Sequence, residues 1–139
     1  MADESYSGFV QRYNMIIGVL VCALLTSFLF FMFPIRFFFM ADIYLVIGGG
    51  IGLYLTFKNI KESQSHIKTG IIVGLTGSVL SLFLIGFFDW IYYSVYYGFD
   101  LILFLNYILY IFVVNGIMYV LVGIILGYIF GYLYSNKEA

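Results

Sequence analysis

The chain has 139 residues, 64% of them hydrophobic, 22% aromatic and 9% charged, with a mean hydropathy of +1.08. A soluble domain usually carries about 25% charge, so water cannot be the solvent for most of this surface. A net charge of −1 excludes the basic footprint of a nucleic-acid binder, and a single cysteine, Cys22, excludes an internal disulfide or a CxxC metal or redox site.

In chain order, residues 1–14 are polar enough to stay in water, with Tyr13 suited to the interface. The first apolar run follows Asp3, Glu4 and Arg12 and has no small-residue cleavage site behind it, so it reads as a retained signal anchor. A Met-Ala start gives no indication of myristoylation. The first span is expected at 15–33, crowded at its far end by Phe28, Phe30, Phe31 and Phe33 and ended by Pro34. Arg36 follows at the water boundary, and Phe37, Phe38 and Phe39 are expected at headgroup depth. Asp42 is placed to cap the second span or to pair with Arg36.

The second span, 43–57, contains Gly48, Gly49, Gly50 and Gly52. Such a cluster weakens a helix in water but is tolerated in a bilayer where a neighbour packs against it. The polar loop 58–68 sets three lysines against Glu62. The third span, 69–88, carries Gly70, Gly74 and Ser78 at four-residue spacing, with Gly77 and Ser81 one register over.

The stretch 89–109 is apolar but rich in rings. Trp90, Tyr92, Tyr93, Tyr96 and Tyr97 are the residue types that collect at membrane–water interfaces. A helix unbroken from Phe99 to the end of the last span would run about 54 Å at about 1.5 Å per residue, far beyond one crossing of a hydrocarbon core about 30 Å thick. The stretch therefore reads partly as an extension of span three and partly as an interfacial segment. A re-entrant helix is the alternative. The fourth span, 111–134, has no charged side chain and places Gly123, Gly127 and Gly131 on one strip, where a neighbouring backbone can approach closely.

These elements predict an all-α polytopic membrane protein in one domain over 1–139. Its four transmembrane helices are expected to pack through small-residue (GxxxG) faces, spans two, three and four against one another. Five of the six positive residues, Arg12, Lys58, Lys61, Lys68 and Lys137, fall on one side of such a four-span chain. Basic residues stay in the cytoplasm, so both termini are expected there, in a multi-pass protein of the cell membrane. A short internal similarity links Gly48 to Lys58 with Gly127 to Lys137. Duplication and coincidence explain it equally well.

The glycine cluster with G-x-Y-L at 48–55, the segment T-G-I-I-V-G-L-T-G at 69–77 and G-x3-G-Y-x2-G-Y-L at 123–133 together resemble small four-helix membrane proteins common in archaea, grouped as a domain family of unknown function. The resemblance spans roughly residues 15–134 and implies a topology, but no activity, ligand or catalytic residue. The aromatic insert around 89–109 departs from it.

Little in the chain carries chemistry. Asp42, Asp89 and Asp100 fall near the outer interface, and no carboxylate sits mid-span as a proton-coupled carrier would need. Asn115 is the most deeply placed strong polar group, with Asn106 two to three turns earlier. Their amides can bond across helices or line a polar path. Thr26, Ser27, Thr76, Ser78 and Ser81 can bond their own helical turn. His66 lacks Cys or acidic partners at ligand spacing and reads as a solvated loop residue; Cys22 reads as a packing residue. No catalytic set, cofactor or metal site is expected.

The function read from the sequence is that of a non-catalytic accessory or structural subunit. Its expected partners are membrane lipids and other membrane proteins or further copies of itself, met through Gly48, Gly52, Gly70, Gly74, Ser78, Gly123, Gly127 and Gly131. A small oligomeric channel or transporter is the alternative.

Overall fold

The computed structural model describes residues 8–33 and 40–138, with the side chains of 40–42 outside that description. The roles expected of Pro34, Arg36, Phe37, Phe38, Phe39 and Asp42 fall outside the described residues. The described chain is helical: α1 (Asn14–Met32), α2 (Met40–Lys58), α3 (His66–Tyr97) and α4 (Leu101–Glu138).

The first helix inverts the soluble pattern. On α1 the buried positions are Asn14, Gly18, Cys22, Ala23, Thr26 and Ser27, whereas Ile16, Leu20, Leu24 and Phe28 point outward. Small and polar residues let backbones approach, while large apolar ones meet a solvent as apolar as themselves. That is the design of a bundle dissolved in lipid, and the protein is a helical, multi-span membrane protein.

Among the described residues three helices rather than four are long and apolar enough to cross a membrane: α1, α3 and α4. The expected second span falls short because its described apolar stretch is Ile43–Lys58, about 24 Å at about 1.5 Å per residue against a hydrocarbon core of about 30 Å.

The glycines also meet other neighbours than a mutual packing of spans two, three and four requires. A Cβ on Gly48 would strike Thr26 and the Cys22 carbonyl, and one on Gly52 would strike the Gly18 carbonyl and Cys22. These two residues therefore seat α2 on α1. Towards α4, α2 offers only ordinary contacts, Gly49 to Leu126 and Gly50 to Phe130. The bundle is two hairpins, α1–α2 and α3–α4, joined where Gly77 of α3 faces the Cys22 sulfur of α1. Leu45, Leu82, Ile85, Ile111 and Tyr119 gather around Cys22 in one apolar cluster, with Leu53, Phe57 and Val73 in a second.

No separate interfacial segment lies between α3 and the last helix. Residues 89–97 continue α3 without a break, and 101–110 already belong to α4. Residues 98–100 alone connect them. Gly98 takes φ +89° and ψ 158°, a conformation nearly confined to glycine, and its N–H closes α3 on the Ser94 carbonyl at 2.9 Å. Asp100 then starts α4: its Oδ1 accepts the Ile102 N–H at 2.9 Å, the bond of a helix N-cap.

The two hairpins differ in length. With 32 and 38 residues, α3 and α4 run about 48 and 57 Å, while the 19 residues each of α1 and α2 run about 28 Å. Since Phe31, near the end of α1, touches Phe88, the tip of α3–α4 projects beyond the shorter pair.

Candidate functional site

The expected packing residues of α3 and α4 lie in one antiparallel seam. Gly70 faces Gly127, Gly74 faces Gly123, and a Cβ on Gly123 would also lie 2.7 Å from the Ser78 hydroxyl. Gly131 abuts the main chain of His66 and Ile67, where a Cβ would lie 2.7 Å from both the His66 carbonyl oxygen and the Ile67 Cα. Each contact is glycine against main chain or a small side chain, so the seam is occupied within the chain. Ser78 and Ser81 turn their hydroxyls to their own helix, on Leu75 O at 2.8 Å and Gly77 O at 2.6 Å.

The two asparagines are not brought together. Nine positions is two and a half turns at about 3.6 residues per turn, so Asn106 and Asn115 lie on opposite sides of α4. Asn106 is exposed and Asn115 half-buried, and neither amide bonds to any described residue. They make no continuous polar stripe. The enclosed cavity between the helices, lined by Cys22, Leu45, Leu53, Val73 and Leu126, measures about 10 Å³. One water needs about 10–15 Å³, so this cavity has room for one water at most.

The aromatic residues form the projecting tip. Trp90 donates its indole N–H to the Asp100 carbonyl at 3.0 Å and packs on Phe104 at 4.9 Å between ring centroids. Tyr93 stacks on Tyr107 of α4, 5.2 Å away. Tyr92 and Tyr96 lean on each other at 5.3 Å on the outer side. Tyr97 is 80%, Phe99 76% and Ile102 70% exposed. A second apolar surface, a groove of about 520 Å³, runs along Leu24, Leu25, Ser27, Phe28, Phe31 and Phe88.

At the opposite end is a polar network for which the spacing of apolar residues gave no sign. Asn14 is 2% exposed, and its amide donates to the Thr56 carbonyl at 3.2 Å and to Gln64 Oε1 at 3.1 Å. Gln64 Oε1 also accepts the Lys61 N–H at 3.2 Å. Thr56 donates to the Gly52 carbonyl at 2.9 Å. One buried amide thus ties α1, the end of α2 and the loop before α3 together. A signal was present: Asn14, Gly18, Cys22 and Thr26 recur every four residues, a small and polar strip on an otherwise bulky helix.

His66 is the first residue of α3 rather than a solvated loop residue. Its ring lies parallel to Phe57, 3° apart, and Phe57 in turn stacks on Tyr134. Its Nε2 is 3.1 Å from Glu138 Oε2, at an angle that makes no hydrogen bond. Cys22 is 2% exposed, sealed between helices. Among the described residues, no three His, Cys, Asp or Glu side chains come together where they could hold a metal ion.

No protein-family model, curated protein or solved structure matches the chain, so the resemblance to archaeal four-helix proteins of unknown function is withdrawn. Short glycine-spaced motifs arise wherever membrane helices pack closely, which explains how they resembled a family without belonging to it.

Proposed function

We propose that this protein is a non-catalytic accessory or structural subunit of the membrane, which associates with other membrane proteins or with further copies of itself. The observation that supports the reading is the open outer surface of α3–α4. Beyond the shorter hairpin, Val95, Tyr96, Tyr97, Phe99, Leu101 and Ile102 are each at least 68% exposed, although the tip extends past the depth that α1 crosses. Exposed apolar surface at a projecting tip suits association with a partner. The association surface is accordingly the tip and the outer face of α4, since the glycine strips are engaged within the chain. The non-catalytic part of the reading rests on the stacking of the one histidine and the sealing of the one cysteine.

Orientation belongs to the same reading. Asn14 meets Gln64 and His66 meets Glu138 at one end of the bundle, so the described ends of the chain share a side. That side carries Arg12, Lys58, Lys61, Lys68 and Lys137, and retention of basic residues places it in the cytoplasm.

The test is the composition of the particle. The protein is tagged after Ala139, extracted into nanodiscs and weighed with everything that co-purifies. Stoichiometric foreign subunits or a defined homo-oligomer support the reading, and a lone monomer at native expression refutes it. Ile117→Ala and Phe99→Ala, both outside the seam, should then shrink the particle while the monomer stays folded.

An oligomeric channel is the second reading, favoured by one observation: the half-buried amide of Asn115 has no bonding partner among the described residues of its own chain. It requires several copies around a shared path. Ion flux in liposomes that Asn115→Leu removes would support it, and no flux across a range of ions would end it.

A further inference from the structure

We infer that Arg12 and Lys61 form a binding site for the phosphate of an anionic phospholipid, on the same end of the bundle as Asn14 and Glu138. The Lys61 ammonium is laid against the main chain of Arg12, with Nζ 3.4 Å from the Arg12 carbonyl oxygen. Two basic residues forty-nine positions apart in sequence thereby meet at one main-chain contact. The carbonyl orients the ammonium and takes up only part of its donor capacity, since an ammonium has three N–H groups.

The placement is built rather than incidental. Lys61 sits in the loop that Gln64 fastens to the buried Asn14, its own N–H bonded to Gln64 Oε1 at 3.2 Å. Arg12 directly precedes Tyr13 and Asn14, and its guanidinium lies over the Tyr13 ring, 5.6 Å from the centroid. A buried amide therefore fixes the spacing of the two backbone segments that carry the cations. Tyr13 sets the depth at the interface, where amphipathic rings settle.

Charge balance completes the argument. Among the described residues His66 Nε2 lies beside Glu138, and no described carboxylate pairs with Arg12 or Lys61. Glu62, next to Lys61, is exposed. A phosphate accepts charge-assisted hydrogen bonds from an ammonium and a guanidinium alike, and here no described carboxylate competes for them. Basic pockets between helix ends at the membrane surface recognise anionic headgroups in this way. Among the other cations, Lys58 and Lys68 lie exposed on helix surfaces without such a tether, and Lys137 lies over Tyr134.

The experiment uses the full chain in detergent, exchanged against phosphatidylglycerol or phosphatidylcholine, with retained lipid counted by native mass spectrometry. Wild type should retain phosphatidylglycerol in preference. At roughly fivefold for each cation at a membrane surface, Arg12→Gln with Lys61→Gln should lower that retention by about thirtyfold. Lys58→Gln with Lys68→Gln, which removes the same charge, should leave it within about threefold, and Arg12→Lys with Lys61→Arg should restore it. Equal loss from both neutralised pairs would overturn the site in favour of diffuse attraction. Equal retention of phosphatidylcholine by wild type would also overturn it. Displacement of phosphatidylglycerol by millimolar inorganic phosphate would assign the two cations to a soluble anion instead. Retention needs neither a particular orientation nor a protein partner, so its failure is separable from that of the proposed function.

Discussion

Gly127→Ala probes the seam at one of its tight backbone contacts. A Cβ there would overlap the Gly70 carbonyl group and lie 3.0 Å from the Cα of Ile71. Both obstacles are main chain of a long helix, so no side chain can rotate away and the two helices must separate. Forcing one methyl into a packed interface costs about 1–3 kcal/mol, while alanine returns about 0.5–1 kcal/mol of helix stability lost by glycine. The two terms leave a net destabilisation of up to about 2.5 kcal/mol. Gly116→Ala is the internal control, because its Cβ would meet only the Phe112 side chain at 3.9 Å, an ordinary contact. It should be neutral or gain up to about 1 kcal/mol from the same propensity term. Reversible unfolding in mixed micelles, driven by denaturing detergent and followed by helical circular dichroism, measures both. If the two variants agree within about 0.5 kcal/mol, inside the additivity error of such comparisons, the backbone contact does not limit packing and the argument fails.

Other substitutions test the remaining parts. Asn14→Ala strips the Thr56 carbonyl and Gln64 of a shared donor and should destabilise by about 1–3 kcal/mol, accompanied by earlier proteolytic cutting in the loop 59–65. A loop cut no faster than in wild type would show that the amide does not hold it. Gly98→Ala meets no neighbour, yet its φ of +89° should cost about 1–3 kcal/mol. The loss should appear as faster hydrogen exchange around the tip, with the α1–α2 hairpin unchanged. Cys22, 2% exposed, should react with a membrane-permeant maleimide only after unfolding, and rapid labelling of the folded protein would contradict its burial.

How much was readable from sequence differs by element. The polar loop and three of the helices follow from charge placement and apolar length, which need only local information. The length of α3 and α4 did not, because Trp90 and the tyrosines after it suit an interface as well as a helix end. Only the contact of Tyr93 with Tyr107 and of Trp90 with Asp100 shows that the rings close a continuous hairpin. The small residues were visible as small, but spacing alone does not say which strip meets which. Gly48 and Gly52 met α1, whose complementary strip of Gly18, Cys22 and Thr26 was hidden among bulky neighbours. The network around Asn14 joins residues 42 and 50 positions apart, and no periodicity reports such a pairing.

The unequal hairpins give the molecule two hydrophobic lengths. A bilayer thin enough to suit α1 leaves the ringed end of α3–α4 among headgroups, while one thick enough to receive that end stretches past the shorter pair. Mismatch costs fractions of a kcal/mol per ångström, so no single thickness satisfies both. Tilting is one response open to a long helix pair, and the glycine seam with the ring contacts beyond it joins α3 to α4 along their length. Membrane thickness thus becomes a variable that sets the angle of the tip.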